Sequence, residues 1–136
     1  MKTPRYKQVA VLPYRKQGKG IDVLLITSRE TKRWVIPKGW PMDGLKDWDA
    51  AATEAFEEAG IAGHVGKKSI GVYHYTKRKK SGDLDVEVTV YPLEVTTELK
   101  SWPEKAERKR RWFSAQAAAV VVTDDGLDAI IMATLA

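Results

Sequence analysis

Between residues 84 and 95 the chain reads LDVEVTVYPLEV, with Val86, Val88 and Val90 alternating with Glu87 and Thr89. That period of two predicts a strand with one buried face. SIGVYHYTKR at 69–78 predicts a partner strand, and KRKKSGD at 77–83 the turn between the two. Nearer the amino terminus, YKQVAVLPYR, QGKG and IDVLLITSR predict strand, turn and strand. A short apolar run, RWVIP, follows and is stopped by Pro37. RRWFS at 110–114 predicts one more short strand.

The period lengthens between Asp47 and Ala59. On a helical wheel Trp48, Ala51, Ala52, Ala55, Phe56 and Ala59 form one apolar stripe, with Glu54, Glu57 and Glu58 on the other side. Asp47 is placed to cap this helix and Gly60 to end it as the C′ residue. SAQAAAVV predicts a short helix capped by Ser114, and DDGLDAIIMATLA a terminal helix capped by Asp124 or a neighbour. Strands, a helix, more strands and then helical material predict a mixed sheet with helices packed on it.

The three glutamates conflict with the helix that carries them. Like charges at i,i+4 cost roughly 0.2–0.5 kcal/mol. Each carboxylate near a helix carboxyl end opposes the macrodipole by roughly 0.3–1 kcal/mol. No Lys or Arg lies between Asp47 and Gly60 to offset this. Divalent cations resolve the conflict, because hard ions take carboxylate oxygens and keep positions open for phosphate and water. A solvated acidic face, or basic residues brought from elsewhere in the fold, are the alternatives.

Composition narrows the chemistry. The 136 residues fit one domain, 1–136, and 43% hydrophobic with 30% charged residues is the balance of a folded globular protein. A net charge of +5 favours anionic partners. The absence of cysteine excludes disulfides, thiol nucleophiles and Cys-based zinc sites, and only His64 and His74 offer imidazole. The amino-terminal MKTPRYKQVAVLPYRK lacks the apolar core of a signal peptide, and no apolar run is long enough to span a membrane. Cytoplasmic location is the expectation.

Gly39, Glu54, Glu57, Glu58, Gly60 and Ile61 fit the spacing of the Nudix box, G-x5-E-x7-R-E-U-x-E-E-x-G-U, with Ala55 at the internal aliphatic position. The chain therefore resembles the Nudix hydrolase family. Leu45 stands where the box has its loop glutamate, and Thr53 where it has its arginine. SRETKRWVIPKG, VTVYPLEVTTELKSWPE and RKRRWF extend the resemblance to the branch that hydrolyses diphosphoinositol polyphosphates and diadenosine polyphosphates. The resemblance implies an α/β/α sandwich with a central mixed sheet.

It also implies a pyrophosphohydrolase in which Glu54, Glu57 and Glu58, with the Gly39 carbonyl, hold Mg2+ or Mn2+. An activated water then attacks phosphorus in line, and Glu54 takes its proton. Glu87, opposite the valines of its strand, is a candidate extra carboxylate, and Asp85 shares its face; both also read as ordinary solvent-facing residues. Lys7, Ser28, Arg29, Lys38, Arg108 and Arg110 match phosphate-contacting segments of the branch, with Arg suited to bidentate contacts. Lys and Arg at 77–80 lie near the expected mouth of the site. Trp34 and Trp112 read as core, Trp102 as an anchor for its loop, and Trp40 as a possible stacking surface. The expected partner is a small-molecule polyphosphate. A catalytically inactive Nudix-fold binding module, a nucleoside triphosphate pyrophosphatase and a basic nucleic-acid binder are the competing readings. Nucleic acid is disfavoured, because the acidic helix repels its backbone and no nucleic-acid motif accompanies the charge.

Overall fold

A computed structural model describes residues 5–135, and the side chains of 6–134. Strands β1 (Arg5–Gln17), β2 (Gly20–Thr27), β3 (Trp34–Val35) and β4 (Lys38–Gly39) precede helix α1 (Asp47–Ala59). Strands β5 (Ile61–Val65), β6 (Gly71–Lys77), β7 (Leu84–Glu98) and β8 (Arg110–Ser114) follow, then α2 (Ala115–Val121) and α3 (Leu127–Leu135).

The sheet is mixed. β1 and β7 run parallel from Arg5 opposite Asp85 to Tyr14 opposite Glu94, and the other pairings are antiparallel. β1 and β2 pair only at their hairpin end, Tyr14 to Gln17 with Gly20 to Val23. Farther along they part, and the chain from 34 to 39 fills the gap. There β3 pairs with Ile26 and Thr27 of β2, while β4 pairs with Val9 and Ala10 of β1. Lys38 and Gly39 are thereby set into the middle of the sheet.

Alternation along the strands feeds two cores. Val9 and Val11 of β1, with Leu24 and Ile26 of β2, pack under Ala50, Ala51, Ala55 and Ala59 of α1. Their neighbours Ala10, Leu12, Val23 and Leu25 face the other way, with Val86, Val88 and Val90, onto Ala115, Ala118, Leu127 and Ile131 of α2 and α3. Both sheet faces are covered, as continuous apolar runs require. This is the expected α/β/α sandwich with a central mixed sheet.

Several local expectations need correction. The N-cap of α1 is Lys46, in extended conformation and without a side-chain cap; Asp47 lies in the first turn. Phe56 is 43% exposed, whereas Glu58 is buried. The apolar stripe is narrower than the wheel implies, because alanines are the side chains that fit beneath the helix. β5 follows α1 directly and has no alternating signal; its pairing with β7 makes it a strand. Ser114 caps α2 as expected, its Oγ accepting from the Ala117 amide at 3.1 Å. Asp124 uses its carbonyl, not its side chain, toward the start of α3.

Candidate active site

Glu54 and Glu58 lie one helical turn apart on α1, near enough that Glu54 helps to raise the pKa of Glu58. Gly39 permits the approach of Glu54: a Cβ at that position would fall inside contact distance of the Glu54 carboxyl. The Lys38 amide donates to Glu58 Oε1 at 3.2 Å. β4 therefore presents its backbone edge to the two carboxylates, and this gives the box glycine its steric reason.

Arg108 supplies a cation that the helix lacks. Its Nη2 lies 3.7 Å from Glu58 Oε2, its Nε donates to Glu104 Oε1 at 2.8 Å, and its Nη1 donates to the Thr27 carbonyl at 3.1 Å. The guanidinium is nearly buried. Burial nevertheless dominates at Glu58 and pushes its pKa up to about 8, opposed by Arg108 and the Lys38 amide and reinforced by Glu54. Burial also raises Glu54. Burial lowers the Lys38 ammonium, against the attraction of Asp124 and Glu58, and that ammonium sits 4.8 Å over the Tyr75 ring.

The carboxyl end of α1 is tied down from outside. Gly60 takes the left-handed conformation, φ 65°, and its N–H donates to the Phe56 carbonyl at 3.0 Å. A Cβ on Gly60 would also strike the Trp102 indole. The next carbonyls are taken by the segment 99–110. The Glu104 amide donates to Glu57 O, Trp102 Nε1 to Glu58 O, and the Leu99 amide to Gly60 O, at 3.0, 3.1 and 2.8 Å. Arg110 Nη1 reaches Ala59 O at 2.8 Å and Gly60 O at 3.2 Å, and its Nη2 reaches Leu99 O at 2.6 Å. Its guanidinium stacks 4.0 Å over Trp102. A cation at a helix carboxyl end satisfies both the free carbonyls and the dipole.

Two adjoining cavities meet over this site. A smaller pocket of about 260 Å³ is lined by Gln8, Gly39, Trp40, Glu54, Glu58 and Glu104, among others. A larger cleft of about 790 Å³ is lined by Ser28, Glu30, Arg33, His74, Asp85, Asp124 and neighbouring residues. Arg29, Lys38, Tyr75, Lys77 and Arg108 line both. The saddle between the cavities is thus four cations and a tyrosine, whose hydroxyl donates to Gln8 Oε1 at 2.6 Å.

Of the residues named from sequence, Gly39, Glu54, Glu58, Ser28, Arg29, Lys38 and Arg108 converge here. Others do not. Glu57 is half-buried and lines neither cavity. Among the described residues no three carboxylate or imidazole side chains stand together as a metal-holding group, so the trio of Glu54, Glu57 and Glu58 is not assembled. Arg108 and the Lys38 amide hold Glu58, while the Glu54 carboxyl lies against Gly39. Lys7 is exposed on β1, opposite Glu87 in register, and lines neither cavity. Glu87 lies 3.5 Å from His74 Nε2, outside both linings. Arg110 serves the helix end instead of the cavities. Trp102 anchors its loop as expected, and Trp40 is exposed at the rim of the smaller pocket. Lys77 and Arg78 of the basic turn reach the larger cleft.

The sequence gives no signal of a functional role at Glu104 or Asp124. Glu104 precedes Arg108 by one helical spacing, yet inside a polar connection. Asp124 reads as a cap; its partner, Arg33, lies 91 residues away.

The family model of the NUDIX domain matches residues 4–133. Nudix hydrolase 12, mitochondrial, of Arabidopsis thaliana is 35% identical over 104 residues, covering 72% of this chain and 50% of the relative. Diphosphoinositol polyphosphate phosphohydrolase 3-beta of Homo sapiens is 31% identical over 118 residues, covering 85% of this chain and 68% of the relative. The chain spans 50%, 52% and 60% of the lengths of Arabidopsis Nudix hydrolases 12, 13 and 21. A C. elegans Ap4A hydrolase in a binary complex has the same fold, with a TM-score of 0.68 at 21% identity over 93% of each chain.

Proposed function

The chain belongs to the Nudix family, and from that premise we propose that it hydrolyses a pyrophosphate linkage in a small polyphosphate, aided by Mg2+ or Mn2+. The observation that carries this reading is the saddle of Arg29, Lys38, Lys77 and Arg108 directly beside Glu54 and Glu58. A linear polyanion laid across it is neutralised along its length while one linkage lies over the carboxylates. The named relative that acts on diphosphoinositol polyphosphates, and the neighbour that acts on Ap4A, support a diphosphoinositol or diadenosine polyphosphate as substrate.

The donors suit a hard cation: two facing carboxylates, the Gly39 carbonyl, and Glu57 on an adjacent position of the same helix. A divalent ion held there supplies charge to phosphate oxygens and makes water a better nucleophile. Glu54 takes the proton of the attacking water, and Glu58 is kept in place by Arg108 and the Lys38 amide. Ser28, Arg29 and Lys38 bind the remaining phosphates. No helix among the described residues is long and apolar enough to cross a membrane.

The test is a panel of diadenosine, diphosphoinositol and nucleoside triphosphate substrates with Mg2+, following phosphate release. Glu54→Gln, which removes the proposed base, is expected to lower turnover by roughly 10²–10⁴-fold. Turnover of none of them would sink the reading. The engagement of Glu58 by Arg108 favours a second reading, a phosphate-binding module without catalysis. That reading requires ligand binding to survive Glu57→Gln and Glu58→Gln together, with no turnover by the unaltered protein.

A further inference from the structure

On β1, position 8 breaks an apolar row. Ala10 and Leu12 face the core beneath α2 and α3, and alternation puts Gln8 on the same side. It pairs with Val88 of β7, which is buried in that core. Gln8 is itself only 4% exposed. An apolar residue would extend the row without burying an amide, which is unfavourable unless the amide is bonded.

One end of this amide is in use. Gln8 Oε1 accepts from the Tyr75 hydroxyl at 2.6 Å. A carboxamide has an accepting oxygen and a donating NH2 group, so this bond fixes which end points away from Tyr75. Among the described residues the NH2 group has no protein partner, and it is not sealed from solvent. Gln8 lines the smaller pocket together with Glu54 and Glu58. β4 stops pairing with β1 at Gly39, opposite Val9, so the sheet is open beside Gln8. Through that opening a residue from one face of the sheet shares a pocket with carboxylates from the other.

The free donors call for an acceptor. Arg29, Lys38, Lys77 and Arg108 line both cavities, whereas Gln8 lines only the smaller one. The cations therefore serve the length of a polyanion, and Gln8 serves the phosphoryl group over the carboxylates. A cation at position 8 would be drawn to Glu54 and Glu58; an amide carries no net charge to compete for them. Hydrogen bonds to an anionic oxygen are strong, and donors already aimed at developing charge favour a transition state.

We propose that Gln8 donates through Nε2 to a non-bridging oxygen of the phosphoryl group under attack, with Tyr75 as the positioning residue that holds the amide in its donating orientation. This rests on the pyrophosphohydrolase reading and adds a substrate contact to it. Water forms the new bond to phosphorus and gives its proton to Glu54, and the bridging oxygen leaves with its electron pair. The Gln8 bond holds the non-bridging oxygen meanwhile, and Gln8 neither gains nor loses a proton.

The experiment measures kcat and KM with Mg2+ on diadenosine tetraphosphate or a diphosphoinositol polyphosphate, whichever is turned over faster, and the Kd of inorganic tripolyphosphate by calorimetry. Gln8→Met keeps the length, suits the apolar row and removes both donors. It is expected to lower kcat roughly 10²-fold, as loss of one preorganised donor does. The tripolyphosphate Kd is expected to rise only about three- to tenfold, the worth of one hydrogen bond. Gln8→Glu keeps the Tyr75 bond and replaces the donors by an oxygen. It is expected to lose at least as much activity, whereas a merely structural role for that bond requires it to lose less than Gln8→Met. Tyr75→Phe keeps the ring beside Lys38 and is expected to lower kcat roughly three- to tenfold, but to change nothing further in Gln8→Met, because the two act as one unit. Tyr75→Phe also carries the test if Gln8→Met fails to fold. If nothing is hydrolysed, the activity reading falls, and a raised tripolyphosphate Kd in Gln8→Met still supports the contact while an unchanged one overturns it. With turnover present, a kcat for Gln8→Met within about twofold of normal, milder loss in Gln8→Glu, or an equal effect of Tyr75→Phe in both backgrounds would overturn the proposal.

Discussion

The two ends of α1 are held in opposite ways. At the amino end Lys46 offers no side-chain cap, and Leu45 before it is 44% exposed. What favours that end is local charge: Asp47 and Asp49 lie in the first turn, where the dipole attracts them. At the carboxyl end Glu57, and Glu58 whenever it is ionised, have the wrong sign for the dipole. There the carbonyls of residues 56 to 60 are all accounted for, one by the Gly60 amide and the rest by donors from 99–110. External bonding is concentrated where carboxylates must be fixed against electrostatic preference. The amino end, which holds no candidate reactive group, makes do with packing and a favourable dipole.

Breaking the carboxyl end has the largest expected effect. Arg110→Ala removes three hydrogen bonds to carbonyls and the stacking on Trp102. It is expected to cost about 2–3 kcal/mol, because charged hydrogen bonds are lost and carbonyls are left buried. Urea unfolding measures this, and Arg110→Lys is expected to recover less than half. A loss under about 0.5 kcal/mol would mean that the Arg110 contacts contribute little.

Titrating Glu58 sharpens the same contrast. Its pKa of about 8 in the folded protein exceeds the ordinary 4.5, so the folded state holds a proton that the unfolded state releases. That contribution to stability is complete below about pH 4.5 and is lost as pH rises through 8. With divalent ions chelated, thermal stability is expected to fall between pH 6 and 8, by no more than about 1.4 kcal/mol per pH unit. Mg2+ is expected to reverse the slope, since it competes with the proton for the same oxygens. A shallower profile in Glu58→Gln than in the unaltered protein identifies the group, the remaining slope belonging to Glu54.

The smallest effect belongs to the amino end. Lys46→Ser adds the missing cap and is expected to raise stability by about 0.5–1 kcal/mol. It lies outside both cavities, so kcat and KM are expected to stay within twofold, and a steady-state assay checks this.

The sequence carried information wherever one element sufficed. Apolar runs with a turn between them predicted β1 and β2 as strands, alternation predicted β7, and the apolar run of α1 with Gly60 predicted the helix almost to the residue. The spacing of Gly39, Glu54 and Glu58 marked residues that the fold brings to one pocket. What stayed hidden depended on distant partners. β5 shows one buried residue in five and exists through Ile61 to Val65 pairing with β7. Arg110 reads as a phosphate ligand until Ala59, 51 positions earlier, is found beneath it. The helical wheel put Glu58 outward because it contains no β4, and the Lys38 amide is what draws that side chain in. Sequence reveals which carboxylates are gathered, but the cation that meets one of them comes from Arg108, outside the helix.

The stitching of 99–110 onto α1 fixes an order of assembly. Lys109 N–H bonds Thr27 Oγ1 across 82 residues, and Arg108 spans 81 to the Thr27 carbonyl. Closing such loops is entropically slow, and contacts that depend on them form late. On the ribosome, the helix with its glutamates emerges well before the arginines that fix them. The nascent chain therefore carries a cluster of unfixed acids until residue 110 is free, and the site matures only after that segment has emerged.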